Sequence, residues 1–123
     1  MTLTPHNEAD AAYVIRNAAA GGTTLAIVGG NTRSGFGNAF ACHDTLSSSG
    51  LTGIVDYEPA EMVMTAKAGT PVAEIEAALS ANRQMMAFEP MDHRGIMGTT
   101  GEPTIGGVFA ANASGPRRFA AGA

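Results

Sequence analysis

This 123-residue chain holds one cysteine, Cys42, so an internal disulfide and a cysteine-ligated iron–sulfur cluster are both excluded. Charge is sparse at 15% of residues, and the net charge is -4. Arg117-Arg118 is the one basic pair, and without a basic stripe nucleic acid is not expected as a partner. No apolar run is long enough to cross a bilayer. Met1-Thr2-Leu3-Thr4-Pro5 lacks the basic and apolar regions of a secretory leader, so a cytoplasmic location is expected. Two familiar phosphate loops are missing as well. No Gly-x-x-x-x-Gly-Lys-Ser/Thr is present, and Gly35-Phe36-Gly37 runs into Asn38-Ala39-Phe40, which breaks Gly-x-Gly-x-x-Gly at its last position. Histidine and acidic residues are too scattered for a metal site.

What the chain does have is glycine, 16 of them, with 45% apolar residues, the profile of an ordered single domain rich in loops. Leu25–Val28 reads as a short buried strand. It ends in Gly29-Gly30-Asn31-Thr32-Arg33-Ser34-Gly35-Phe36-Gly37. Glycine permits positive φ and close approach of a ligand to the backbone, and successive N–H groups in such a turn converge on anions. Asn31, Thr32 and Ser34 add short side chains within reach of phosphate oxygens. A bare surface loop is the plain alternative.

Elsewhere the pattern is structural. Thr4-Pro5 reads as a helix start, followed by Ala11, Val14, Ile15 and Ala18 on one face and a stop at Gly21-Gly22. Leu46 lies in a weak extended stretch before a turn at Ser47-Ser48-Ser49-Gly50. Gly53–Tyr57 and Met62–Lys67 read as an antiparallel pair joined through Glu58-Pro59-Ala60-Glu61. Thr70-Pro71 repeats the helix-start chemistry, with Val72, Ile75 and Leu79 as the buried stripe of a helix to about Asn82. Met85, Met86 and Phe88 read as core filler. Asp92-His93-Arg94 reads as a loop ion pair and not a metal site, with a catalytic His93 left open although nothing nearby supplies a nucleophile.

A second glycine stretch, Thr104-Ile105-Gly106-Gly107, opens a short apolar helix that Gly115 is expected to end. Bare N–H groups at its start make a second anion site, and the small residues Ala110, Ala111, Ala113 and Ser114 let a flat ligand pack closely. Two such loops favour one shared ligand.

Three segments in register resemble the FAD-binding domain of the vanillyl-alcohol oxidase and p-cresol methylhydroxylase (PCMH) type. They are Val28-Gly29-Gly30-Asn31-Thr32, Ala68-Gly69 before the Thr70–Asn82 helix, and Thr104-Ile105-Gly106-Gly107 through Asn112-Ala113-Ser114-Gly115. Ile54–Glu61, Gly69-Thr70-Pro71, Ile75–Leu79 and Ser114–Arg118 are similar, more finely, to FAD-binding subunits of bacterial glycolate oxidase. The resemblance implies an α+β fold, small mixed β-sheets flanked by helices, with residues 1–123 as the N-terminal part of the domain and the substrate domain absent. It implies FAD gripped at Gly29, Gly30, Asn31, Thr32, Arg33 and Ser34 and at Thr104, Ile105, Gly106, Gly107, Asn112 and Gly115. Some members attach FAD through a histidine at the first loop; Ile27–Gly37 has neither histidine nor cysteine, so attachment is expected to be non-covalent. The implied reaction is oxidation of a 2-hydroxy acid, glycolate, to glyoxylate. The implied partners are a larger flavin-containing subunit and an iron–sulfur subunit, which could hold the chain at the inner face of the membrane. No residue is assigned to catalysis, and the chain alone is expected to be inactive and to self-associate. The rival expectation is a flavin-free assembly fragment of the same complex. A nucleotide-sugar reductase domain of this fold is disfavoured by the middle stretches.

Overall fold

The computed structural model describes residues 1–122. The elements in chain order are β1 (Thr2–Leu3), α1 (Glu8–Ala20), β2 (Leu25–Val28), β3 (Asp44–Ser47), β4 (Ile54–Glu58), β5 (Val63–Ala66), α2 (Val72–Ala81), α3 (Arg94–Met97), α4 (Ile105–Ala111) and α5 (Arg118–Ala121). A single 3-10 turn, Ser48–Gly50, follows β3.

Two small sheets result. β1, β3 and β2 form a parallel sheet with β3 in the middle, Leu3 and Ile27 both opposite Leu46. The weak extended stretch around Leu46 is therefore the central strand. Its side chain is buried, whereas Ile27 on the edge strand is 74% exposed. β4 and β5 form the expected antiparallel hairpin, with a register irregularity between Ile54 and Asp56. Its turn closes by the Glu61 N–H donating to the Glu58 carbonyl at 3.2 Å. The architecture is α+β, with one sheet parallel and the other antiparallel.

Both expected threonine caps are displaced. α1 starts later than the Thr4-Pro5 signal, because Asn7 caps it by accepting from the Asp10 N–H at 2.8 Å. Pro5 is instead buried, its carbonyl against Gly50. Thr70 does not cap α2; Pro71 stands at that position without a side-chain bond. Thr70 is fully buried and its hydroxyl serves the hairpin. It donates toward the carbonyls of Lys67 (2.6 Å) and Gly53 (3.1 Å) and accepts from the Gly53 N–H (2.9 Å). Thr70 thus ties the hairpin to the entry of α2.

The segments around Thr70 and Thr104 are then stitched together. Ile105 N–H donates to the Thr70 carbonyl (2.9 Å), Gly106 N–H to Ala68 (2.8 Å) and Val72 N–H to Pro103 (2.8 Å). The fully apolar core is small: Leu46, Ile75 and Val108. Accessible surface is 7868 Å², against roughly 6,200 Å² for a compact monomer of this size, so much apolar surface stays open.

Candidate functional site

β2 delivers the glycine loop against the strand-like segment before α4. A Cβ on Gly30 would collide with the Glu102 carbonyl, one on Gly101 with the Gly30 carbonyl, and one on Gly29 with the Thr104 hydroxyl. Neither Gly29 nor Gly30 has positive φ. Gly30 and Gly101 are small because two backbones touch, and Gly29 because the Thr104 side chain lies against it, which corrects the expectation that Gly29 and Gly30 serve positive φ. The left-handed residue is Asn31, φ 57°, a conformation asparagine tolerates. Behind it the chain turns: Ser34 Oγ donates to the Asn31 carbonyl (3.4 Å), and Phe36 N–H to Arg33 (3.0 Å). Thr32 is buried, and its carbonyl accepts from the Thr99 hydroxyl at 3.0 Å.

None of the N–H groups from Gly30 to Gly35 donates a hydrogen bond among the described residues. Residues Gly30 to Ser34 line a cleft of about 510 Å³ that is bounded also by Phe36 and Phe40, and by Thr104, Gly107, Ala110 and Ala111 of the α4 region. That volume is in the range of small-molecule sites, and uncommitted N–H groups suit an anion.

The second loop differs from expectation. The first N–H groups of α4 are already used: Ile105 and Gly106 donate to backbone carbonyls, and Gly107 donates to its cap, the Thr104 hydroxyl, at 3.3 Å. α4 therefore offers the cleft a smooth wall, not bare donors. Gly29, Gly30, Asn31, Thr32, Arg33, Ser34, Thr104 and Gly107 come together around the cleft. Ile105 and Gly106 face a different, apolar groove of about 650 Å³ that includes Met64, Met86 and Phe109. Asn112 lines a third, smaller hollow. It ends α4 in the left-handed conformation at φ 47°, so the helix stops there and not at Gly115. Gly115 instead packs on Glu89, its N–H donating to the Phe88 (3.0 Å) and Glu89 (2.9 Å) carbonyls.

Arg33 is half-buried and its guanidinium reaches across to the segment before α3. Its Nε donates to His93 Nδ1 at 2.9 Å and its Nη2 to the Met91 carbonyl at 3.0 Å. His93 is buried, with its ring edge-on to Phe36 at 5.2 Å and 75°. Burial pulls the Arg33 guanidinium below its usual pKa, and the charge of Asp92 opposes that pull. Sequence reasoning left a catalytic His93 open and missed its pairing with Arg33, because the two lie 60 positions apart and no local signal marks the pair. Asp92 and Arg94 form the expected loop ion pair, Nη2 to Oδ2 at 2.8 Å. The Arg94 side-chain bonds, with its backbone N–H, hold the Asp92 carboxyl at about 2. Among the described residues no three of His, Cys, Asp and Glu gather as a metal site would need.

The profile of a family described as FAD binding domain matches residues 1–123. The glycolate oxidase subunit GlcE of Escherichia coli (strain K12) is 42% identical over 96 residues, which is 78% of this chain and 25% of that protein. The chain thus spans about a quarter of the length of that curated relative.

Proposed function

This chain belongs to the FAD binding domain family, and we propose that it is the N-terminal, FAD-binding portion of a glycolate oxidase subunit. FAD is the cofactor that membership implies. The observation that carries the reading is the run Gly30 to Ser34, which lines a cleft of about 510 Å³ and whose backbone N–H groups donate no hydrogen bond among the described residues. Those groups suit the pyrophosphate, the most charged part of the cofactor. Gly107, Ala110 and Ala111 suit a flat neighbour, since none projects beyond a methyl group. Asn31 and Ser34 add polar atoms at the rim. Ile105, Gly106, Asn112 and Gly115 act indirectly in this reading, by fixing α4 and its exit against the rest of the domain.

When bound, the flavin supplies the hydride acceptor for a 2-hydroxy acid, glycolate going to glyoxylate. The chain's share is orientation and electrostatics. No residue of this chain is given a catalytic role. The substrate site, a larger flavin-containing partner and an iron–sulfur partner belong to the proposal. So does a place in the cytoplasm, or at the membrane's inner face through those partners. No helix among the described residues is long and apolar enough to cross a membrane. Attachment is non-covalent, because Ile27–Gly37 contains neither histidine nor cysteine.

A flavin-fluorescence titration of the purified chain tests the reading. Saturable, stoichiometric FAD binding is expected, and acid precipitation should release all of it into the supernatant. Absence of saturation would overturn FAD binding by this chain. Flavin retained in the washed pellet, with a matching mass increase on the polypeptide, would overturn non-covalent attachment. A flavin-free assembly role is the second reading. It is favoured by the open apolar groove bearing Met85 and Phe109, which are 59% and 73% exposed.

A further inference from the structure

We infer that His93 is a positioning residue for the cofactor's anionic group, acting through Arg33. The inference rests on the reading of the cleft as a pyrophosphate site. Arginine has only donors, so His93 Nδ1 must accept from Arg33 Nε, and the ring proton sits on Nε2. Nδ1 also lies 3.0 Å from the Met91 carbonyl. Two acceptors at that distance repel unless a donor spans them. The guanidinium does so, giving Nε to Nδ1 and Nη2 to the carbonyl. His93 and Met91 thus fix the plane of the fork.

That leaves Nη1. It has no acceptor among the described residues, and it lies 3.1 Å from where a Cβ on Gly107 would stand. Gly107 lines the cleft, and so does Arg33 itself. The free end of the fork is therefore held beside Gly107, at the cleft wall facing the loop that lines the other side. Glycine at 107 leaves it room. An unheld arginine would lose several rotors on binding an anion, whereas this one is already ordered. Phe36, edge-on to the imidazole, keeps the ring from turning Nδ1 away.

The test uses the full chain and FAD. His93→Leu removes the acceptor and keeps bulk; His93→Asn returns an oxygen near Nδ1; Arg33→Met removes the fork. Melting temperatures report folding, and the Arg33 Nε–H signal in 15N NMR reports the pair without any ligand. We expect His93→Leu to weaken FAD binding about tenfold and to speed exchange of the Nε–H. His93→Asn should recover most of both. The double variant Arg33→Met/His93→Leu should bind FAD no worse than Arg33→Met alone. Equal affinity in His93→Leu and the wild type, or additive losses in the double variant, would overturn the inference while the FAD reading stands. A wild type that binds no FAD would overturn both. If His93→Leu fails to fold, Arg33→Lys carries the test. It keeps the charge but cannot span both acceptors, so it should bind as weakly as Arg33→Met; wild-type affinity in Arg33→Lys would overturn the inference.

Discussion

At the scale of single residues, polar side chains hold this domain at positions where a larger core would use aliphatic ones. Thr70 is fully buried with three backbone partners. Thr70→Val keeps the shape but strands the Gly53 N–H, while the Gly53 and Lys67 carbonyls keep the backbone N–H groups of Lys67 and Thr70 as donors. A loss of about 1–3 kcal/mol is expected for such an unpaired group, read as a lower urea midpoint; an unchanged midpoint would show that the hydroxyl is dispensable. Asp92 gives the pH dependence. Its folded-state pKa of about 2 is below the ordinary 3.8, so the pair with Arg94 stabilises fully above about pH 4. That contribution fades as pH falls through 2. The side chain is exposed, so the effect is small. A carboxyl titration by NMR should place the Asp92 midpoint near 2; a midpoint near 4 would mean the pair does not persist in solution.

At the scale of elements, the meeting of the glycine loop with the segment before α4 decides the site. Gly30→Ala puts a methyl group into the Glu102 carbonyl. Because the obstacle is backbone, the two segments must part. A cost of about 1–3 kcal/mol or more is expected, as for overpacked cores, together with weakened FAD binding. Gly95→Ala is the control, since nothing lies within 4 Å of the added carbon. Equal melting temperatures for the two variants would refute the contact. This also means that a substitution at Gly30 reports on packing as well as on the proposed anion site. Helix ends follow the same logic. α4 stops at Asn112 because that residue adopts φ 47° and its N–H donates back to the Val108 and Phe109 carbonyls.

At the scale of the whole molecule, the apolar surface is out of proportion to the core. Among the described residues the hydrophobic core is Leu46, Ile75 and Val108, while Met62, Met85, Phe109 and Phe119 are more than half exposed. Open patches of this kind promote association. Sedimentation of the purified chain should show mass rising with concentration, and Phe109→Glu should suppress the rise. A concentration-independent monomer would contradict it. In the proposed reading the cofactor's ring would be open to solvent on this chain, so no turnover of glycolate is expected from it alone. Catalysis needs the substrate held at near-attack distance, and steady activity would overturn that expectation.

The sequence by itself determined the elements with strong local chemistry. The Leu25–Val28 strand, the hairpin around Pro59, the helix after Pro71 and the two glycine stretches all follow from turn residues and apolar spacing, which act over a few positions. It also placed Gly29–Ser34, Thr104 and Gly107 in one candidate site. Only the tertiary structure decided what depends on contacts between distant segments. Leu46 becomes central because β1 and β2 pair on either side of it. Thr70 leaves its helix cap because the Gly53 backbone claims the hydroxyl. The first N–H groups of α4 are used up by Thr70, Ala68 and Thr104, so of the two glycine stretches it is the first loop that keeps uncommitted N–H groups among the described residues. Arg33 and His93 meet across 60 positions. Hydrogen-bond partners of buried groups are set by which backbones touch, and no local pattern encodes that.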